Sequence, residues 1–300
     1  QMPGFRRIMT LHRFLAIMKC LSCTPASAYD TLLGAAKTQL AGSVTKIKPF
    51  ADMLIELWQK AFYPGREISV DESMIAFKGR CRFLQFVPNK PHKYGLKAWA
   101  LCDARSGYVY NWELYTGRAG ANGDASVSNV NIISTKNRDI VMRVCRPVYH
   151  KGHHLYMDSF FTSPDLCREL SEVGVGCCGT VRKNRIGIPE LIKENANATN
   201  PAPTWRCVKK GLIRFVSWPD IKLKKQDKSE LNKKRIIRKI VTVNICSTIH
   251  KGTIKYKKDN KKIKPGVVQM YTNFMGGVDK ANSKISTYLL RHRMVKWWKK

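Results

Sequence analysis

The chain has 300 residues, enough for one large domain or for a core domain with a sizeable insertion. Hydrophobic residues make up 44% and aromatic residues 10%, which favours a packed core and argues against wholesale disorder. Lys and Arg number 54 against 21 Asp and Glu, a formal net charge of +33, so nucleic acid is the expected partner, ahead of an anionic membrane surface. No apolar run reaches the roughly 18 residues of a membrane span, and basic residues interrupt the N-terminal stretch. Neither a membrane anchor nor a signal peptide is therefore expected.

The ten cysteines are expected to be reduced thiols of an intracellular protein. Cys20 and Cys23 form a lone C-x-x-C pair, with no second pair at zinc-finger distance. Cys177 and Cys178 are adjacent, which suits a strand better than a metal site. A structural zinc ion is therefore not expected.

The first part of the chain predicts helices followed by a hairpin. Apolar residues recur at three- and four-residue steps through residues 1–63, which indicates a helical N-terminal region. From Glu67 the period changes to two, as in a strand. A second strand is predicted over Tyr94–Cys102, a turn over residues 103–107, and a return strand over Tyr108–Tyr115.

The middle of the chain predicts alternating helices and strands. Residues 122–137 are polar and indicate a loop, and a short helix follows that ends before Pro147. His154–Met157 predicts a brief strand. Ser163 begins the next helix, with a capping hydroxyl, a proline and an early acid, and Val175–Val181 predicts a buried strand.

The composition then becomes strongly basic. Between Lys209 and Lys264 there are 19 Lys or Arg residues against four acids, so residues 193–264 are predicted to be a basic insertion domain. Leu212–Trp218 and Ile240–Ile245 predict strands inside it. Helical signals resume at Pro265 and pause at Gly276-Gly277.

A hairpin followed by strand–helix alternation predicts an α/β fold with a mixed sheet flanked by helices, and an RNase H-like fold has this order. The corresponding divisions are a helical N-terminal region (residues 1–63), the first part of a catalytic domain (residues 64–192), the basic insertion (residues 193–264) and the last helices (residues 265–300).

Three acids lie among apolar strand or helix residues of this basic chain. Asp71 follows Ile68-Ser69-Val70, Asp158 ends the strand His154–Met157, and Asp279 follows Gly276-Gly277-Val278. Phosphodiester chemistry by two Mg²⁺ ions requires about three carboxylates on rigid elements. An isolated Asp at a strand end is more often a cap or turn residue, so spacing alone leaves both interpretations open. Glu72 as an outward strand neighbour, Asp103 in the turn and Asp165 in a first helical turn have structural explanations.

Longer motifs carry a resemblance to one family. The segments are Ser69-Val70-Asp71-Glu72-Ser73-Met74, Phe77-Lys78-Gly79-Arg80, Pro88-Asn89-Lys90-Pro91-His92-Lys93-Tyr94-Gly95-Leu96-Lys97, Tyr156-Met157-Asp158-Ser159-Phe160-Phe161-Thr162-Ser163, Gly179-Thr180-Val181-Arg182 and Met275-Gly276-Gly277-Val278-Asp279. In this order they closely resemble the catalytic segments of piggyBac transposases, from about residue 64 to the C-terminus.

The resemblance implies an RNase H-like catalytic domain interrupted by an insertion between the second and third acids. It implies that Asp71, Asp158 and Asp279 are metal-binding aspartates for two Mg²⁺ or Mn²⁺ ions. It also implies excision through DNA hairpins, integration at TTAA sites in double-stranded DNA, a homodimer in the full-length protein, and a nuclear location.

Some features depart from the family pattern. The family often has a further acid three positions after the last one, and this position is Asn282 here. Asn282 shares a helix face with Asp279 and could coordinate weakly as an auxiliary residue, but it carries no charge. Residues 122–137 and 222–239 look expanded, and no Cys-rich C-terminal domain is found, so a catalytic-domain fragment is expected.

Basic residues near the acids are candidates for DNA contacts. Lys90, His92, Lys93 and Lys97 cluster after the first acid, and Arg182, Lys183 and Arg185 follow the strand after the second. Near a metal site these side chains would contact phosphates, and the alternative is a solvated basic surface. Phe160 and Phe161 are expected to pack in the core rather than to stack on bases.

The sequence thus predicts a transposase that cleaves DNA and transfers strands with the help of metal ions. The first alternative is a domesticated DNA-binding protein that keeps the fold without cutting, which Asn282 favours and the intact acids disfavour. A second is a degraded element, which the two expanded segments favour.

Overall fold

The structure is a computed structural model that describes residues 8–20, 47–115 (without 80, 82, 89 and 91), 136–193, 206–224, 237–250, 255–258 and 262–288. Cys23, Trp297-Trp298, most of the 122–137 loop and most of the Lys-rich stretch at 222–239 lie outside the described residues. The predictions for these segments therefore stay predictions.

Nine strands form one sheet within the described residues, in the order β2-β3-β1-β5-β6-β9-β8-β7, and β4 also pairs with β3. Two further strands, β10 and β11, form a separate hairpin. The strands are β1 Glu67–Ala76, β2 Leu84–Phe86, β3 Tyr94–Asp103, β4 Val109–Leu114, β5 His154–Met157, β6 Gly176–Thr180, β7 Arg206–Lys210, β8 Ile213–Lys224, β9 Ile237–Ser247, β10 Lys255–Lys258 and β11 Lys262–Pro265.

The described helices are α1 Leu11–Cys20, α2 Lys48–Ala61, α3 Asn137–Cys145, α4 Pro164–Glu172, α5 Glu190–Lys193, α6 Gly266–Phe274 and α7 Gly277–Tyr288, with a 3-10 turn at Arg146–Val148. Helices α2 to α7 contact the sheet. The predicted start of α4 is confirmed, because the Leu166 amide donates to the Ser163 hydroxyl at 3.3 Å. No helix in the described ranges is long and apolar enough to cross a bilayer.

The strand directions follow the predicted order. β1 and β3 are antiparallel, whereas β1, β5 and β6 run parallel through strand–helix crossovers. One face of the sheet packs Ile68 and Leu155 against Ile140 of α3 and Leu170 of α4. The opposite face is covered by α6 and α7. The mixed RNase H-like sheet flanked by helices is confirmed.

The first strands of the basic segment belong to the central sheet. β9 pairs with β6 in antiparallel register, with Cys178 opposite Ser247. Phe215 of β8 and Cys246 of β9 are buried in the same core cluster as Ile68. Apolar residues inside these strands thus extend the core, although the surrounding composition is basic.

Candidate active site

Two of the predicted acids are neighbours in the sheet. Val70 of β1 is in register with Met157 of β5, so Asp71 and Asp158 come next in each strand at the same level. Adjacent strands are about 4.8 Å apart, and side chains at matching positions of a parallel pair point to the same face. This is the face that α6 and α7 cover, opposite the core of α3 and α4.

A tight turn fixes the Asp158 side chain. Oδ1 of Asp158 accepts from the amides of Phe160 at 2.9 Å and Phe161 at 3.4 Å. The Thr162 hydroxyl donates to the Asp158 carbonyl at 2.6 Å, and a Cβ on Gly179 would lie 2.2 Å from this hydroxyl oxygen, so β6 admits only glycine there. Phe161 is buried and Phe160 packs against the core, which confirms their predicted packing role.

The half-buried Asp71 carboxyl lies among like charges. Its Oδ1 accepts from the Glu72 amide at 2.7 Å. Burial, with the negative charges of Asp158 and Asp279, raises the pKa of Asp71 to about 6, against the opposing effects of that amide and of Lys90. All three predicted acids therefore act on one electrostatic site.

Close contacts set helix α7 on β1. A Cβ on Gly277 would lie 2.3 Å from Oγ of Ser69, so the backbone of α7 touches the strand at this point. Further along, the Ser73 hydroxyl donates to Oδ1 of Asn282 at 2.6 Å. The first two turns of α7 therefore lie along one face of β1.

These contacts place the third acid near the first. Asp71 lies between Ser69 and Ser73 on the same face of β1. Asp279 lies between Gly277 and Asn282 on α7, in the first turn, and its side chain is exposed. Asp279 is thus brought alongside Asp71, as its effect on the pKa of Asp71 also indicates.

The three carboxylates suit a divalent cation in their chemistry. Hard ions bind carboxylate oxygens. Burial, together with the negative charges of Asp158 and Asp279, raises the pKa of Asp71, and such an ion would offset these charges. In the described part of the chain, however, no three His, Cys, Asp or Glu side chains are close enough together to hold a metal ion. An ion held by all three aspartates would require them to approach one another more closely than they do here.

The basic residues after β2 lie in three different places. The Lys90 ammonium donates to the Glu72 carbonyl at 3.3 Å and lowers the pKa of Asp71, so it lies at the site. His92 and Lys93 are exposed in the turn before β3. Lys97 is on the opposite face of the sheet, where its ammonium lies 2.9 Å from Oε2 of Glu72.

The interpretation of Glu72 as an outward strand neighbour was wrong. Its side chain is 18% exposed and that of Lys97 is 16% exposed, so they form a largely buried ion pair. The Lys97 ammonium also lies 5.3 Å from the Phe160 ring and 5.7 Å from the Trp99 ring. Lys97 thus joins β3 to the turn after Asp158. Asp103 does cap the hairpin turn as expected, accepting from the Ser106 amide at 2.7 Å.

The basic residues after β6 also differ in their contacts. Arg182 is exposed and Lys183 is half-buried. Arg185 donates to the carbonyls of Phe160 at 2.8 Å and Ser159 at 3.4 Å. Its observed contacts therefore brace the turn that carries Asp158, and a role in DNA binding stays a prediction.

The sequence interpretation missed a pair of hydroxyl groups at the site. Met157 is in register with Gly179, so Thr180 of β6 follows at the level of Asp158. The Tyr271 hydroxyl oxygen on α6 lies 3.3 Å from Oγ1 of Thr180. The sequence indicated only that a helix begins near Pro265, and it takes the register of β5 and β6 to show which polar groups the Tyr271 hydroxyl meets.

The sheet order and the placement of the acids define an RNase H-like α/β protein with a carboxylate site on one face of its central strands. The profile of the transposase IS4 family matches residues 1–300. The chain belongs to this family, as a piggyBac-type member.

Two human relatives support this placement. The chain is 28% identical over 261 residues to human PiggyBac transposable element-derived protein 3. The aligned residues cover 85% of this chain and 40% of the relative. It is 22% identical over 299 residues to human PiggyBac transposable element-derived protein 5, covering 97% and 52% of the two chains. The chain thus spans about half or less of the length of these relatives.

A solved structure has the same fold. The cryo-EM structure of a piggyBac transposase synaptic complex with hairpin DNA matches with a TM-score of 0.73 and 23% sequence identity. The match covers 98% of this chain and 56% of that chain. At this identity the likeness confirms the fold.

Proposed function

We propose that the chain is the catalytic part of a DNA transposase, in which Asp71, Asp158 and Asp279 hold divalent metal ions for phosphodiester cleavage and strand transfer. The observation that carries the proposal is the placement of Asp71 and Asp158 side by side in two parallel strands, with the charge of Asp279 acting on the same site. Family membership supports it.

A different part of the structure positions each of the three aspartates. The two turn amides hold Asp158 in one orientation, and the β1 backbone holds Asp71 beside it. Asp279 completes the site from α7, whose approach depends on Gly277. Two Mg²⁺ or Mn²⁺ ions, when bound, stabilise charge on the attacking and leaving oxygens of the phosphodiester. Lys90 adds a positive charge close to the acids.

The proposed substrate is double-stranded DNA, at transposon ends and at TTAA target sites. The net charge of +33 suits a polyanion, and exposed His92, Lys93 and Arg182 are available for phosphate contacts. The solved relative is a complex with hairpin DNA, which supports excision through hairpins. A homodimer in the full-length protein and a nuclear location complete the proposal.

The test is plasmid excision by Asp158→Asn beside Asp165→Asn. Both changes remove one carboxylate charge, but Asp165 is exposed in the first turn of α4 and pairs with Arg168. We expect excision to fall by about a thousandfold or more for Asp158→Asn and to stay near wild type for Asp165→Asn. Undiminished excision by a folded Asp158→Asn protein would sink the assignment.

A second candidate function is DNA binding without cutting. Asn282 favours it, because this side chain adds no charge to the site and its Oδ1 already accepts from Ser73. Under this alternative the wild-type protein binds DNA but releases no cleaved product with Mg²⁺ or Mn²⁺. Flanking inverted repeats with a TTAA duplication around the gene would favour the transposase instead.

A further inference from the structure

The row of side chains that contains Asp71 and Asp158 continues onto a third strand. β6 is parallel to β5, and Thr180 stands beside Asp158 as Asp158 stands beside Asp71. The Tyr271 hydroxyl reaches Thr180 from α6, with the two oxygen atoms 3.3 Å apart. Both side chains are half-buried, so the hydroxyl pair borders the acids without being sealed inside the core.

The ring of Tyr271 and its hydroxyl have different surroundings. The ring packs with the apolar cluster under α6, which includes Tyr156, Cys178 and Val268. Burial first, and then the charges of Asp158 and Asp71, raise the pKa of Tyr271 to about 12, against the effect of Thr180. The hydroxyl therefore keeps its proton at neutral pH and is suited to donate rather than to act as a base.

We propose that Tyr271, oriented by Thr180, is a further substrate-binding residue of this site, donating a hydrogen bond to a nonbridging oxygen of the phosphodiester held at Asp71 and Asp158. This inference rests on the proposed function. Negative charge grows on the phosphoryl oxygens during transfer, and a fixed neutral donor stabilises it without adding a charge beside the carboxylates. When Thr180 donates to the Tyr271 oxygen, the tyrosine proton is left free for another acceptor such as the phosphate.

The experiment compares Tyr271→Phe with Tyr156→Phe in the 300-residue chain. Both changes remove one phenolic hydroxyl from the same side of the sheet and keep the ring. Among the described residues the Tyr156 hydroxyl is buried without a hydrogen-bond partner, and the groups whose charges shift its pKa are Cys178, Glu67 and Arg66 rather than the three aspartates. Single-turnover cleavage and DNA affinity in Ca²⁺ are measured for each variant, and for Thr180→Val.

We expect Tyr271→Phe to slow cleavage roughly 10- to 100-fold and to weaken DNA binding in Ca²⁺ by about fivefold, with a smaller loss for Thr180→Val and none for Tyr156→Phe. A DNA with a single phosphorothioate at the scissile phosphate tests the contact itself. The loss caused by Tyr271→Phe is expected to shrink in one diastereomer only, the one in which sulfur replaces the contacted oxygen.

Equal losses in both diastereomers and in unmodified DNA would show that the hydroxyl acts only on the fold, and would overturn the inference. Cleavage and binding unchanged by Tyr271→Phe would overturn it while leaving the transposase proposal intact. If the wild-type chain does not cleave, the proposed function fails, and binding in Ca²⁺ decides the inference: an unchanged affinity of Tyr271→Phe overturns it, and a selective loss supports it.

Discussion

Gly277 lies directly against Ser69, and a methyl group added at Gly277 would stand 2.3 Å from the serine hydroxyl oxygen. The same methyl group would also lie 3.0 Å from the Cα atom of Ala104 and 3.1 Å from the carbonyl oxygen of Asp103. Two of these three neighbours are backbone atoms that cannot turn away. The helix that carries Asp279 is therefore held at its closest approach to β1 by the lack of a side chain.

Gly277→Ala is expected to push α7 away from β1, with Gly276→Ala as its control. Overpacking of this kind costs about 1–3 kcal/mol of unfolding free energy, and it moves Asp279 away from Asp71. Among the described residues, a Cβ on Gly276 meets nothing within 4 Å, so the control is expected to keep both stability and the site. Chemical denaturation and excision assays check the pair. Equal stability and equal excision activity of the two variants would contradict the close packing of Gly277 against β1.

Lys97→Met is expected to change stability and Lys93→Met to change DNA binding, although both lysines were predicted to contact DNA. Lys97→Met leaves Glu72 largely buried without its ion pair, so it should lower the unfolding free energy by about 1–3 kcal/mol. Lys93 is exposed, so its loss should leave stability unchanged and weaken DNA binding.

Thermal unfolding and the salt dependence of DNA affinity separate the two roles of these lysines. For Lys93→Met, the slope of log affinity against log salt concentration should decrease in magnitude by about one, as expected for the loss of one phosphate contact. The double variant Lys97→Met with Glu72→Gln should recover part of the stability lost in Lys97→Met alone. No recovery would mean that the ion pair does not stabilise the fold.

His154 is expected to make the protein less stable in acid. Burial, with the charge of Arg66, lowers the pKa of His154 to about 4, so the unfolded chain binds a proton between about pH 6.5 and 4 that the folded chain does not. The unfolding free energy should therefore fall as the pH decreases through this window, by less than the full shift implies, because the half-buried side chain is partly screened by solvent. Denaturation curves of the wild type and of His154→Gln at several pH values check this prediction. If both proteins lose the same stability in acid, groups other than His154 cause the pH dependence.

Asn282→Asp is expected to strengthen metal binding. Asn282 lies on α7 one turn after Asp279, and its Oδ1 accepts from Ser73, a bond that a carboxylate can also accept. The added charge would therefore join the site without removing the contact. Ser283→Asp adds the same charge at an exposed position of α7 and serves as the control. Titration with Mn²⁺ should show tighter binding for Asn282→Asp only, and equal affinities would contradict the placement of residue 282.

Local patterns in the sequence predicted most of the elements around the site. The change of period at Glu67 predicted β1, His154–Met157 proved to be β5 as predicted, and Ser163 caps the helix that its sequence indicated. These features depend on neighbouring residues, so they can be recognised without the fold. The strands β2 and β7 were not predicted: β2 has only three residues and shows no period, and basic residues fill three of the five positions of β7.

Features that depend on pairing between distant segments could not be predicted. The basic composition of residues 209–264 concealed that β8 and β9 extend the central sheet, since burial depends only on the inward residues such as Phe215 and Cys246. Glu72 was assigned to solvent because its partner, Lys97, lies in another strand. Likewise, the contact between Thr180 and Tyr271 follows from strand register and helix docking.

The most direct test of the central claim is Mn²⁺ binding to the DNA-bound chain, followed by electron paramagnetic resonance in the wild type and in Asp71→Asn, Asp158→Asn and Asp279→Asn. The wild type should bind two ions, and each variant should lose at least about tenfold in affinity, since even groups that only orient ligands contribute roughly 10- to 100-fold. Wild-type Mn²⁺ affinity in all three variants would contradict a shared metal site.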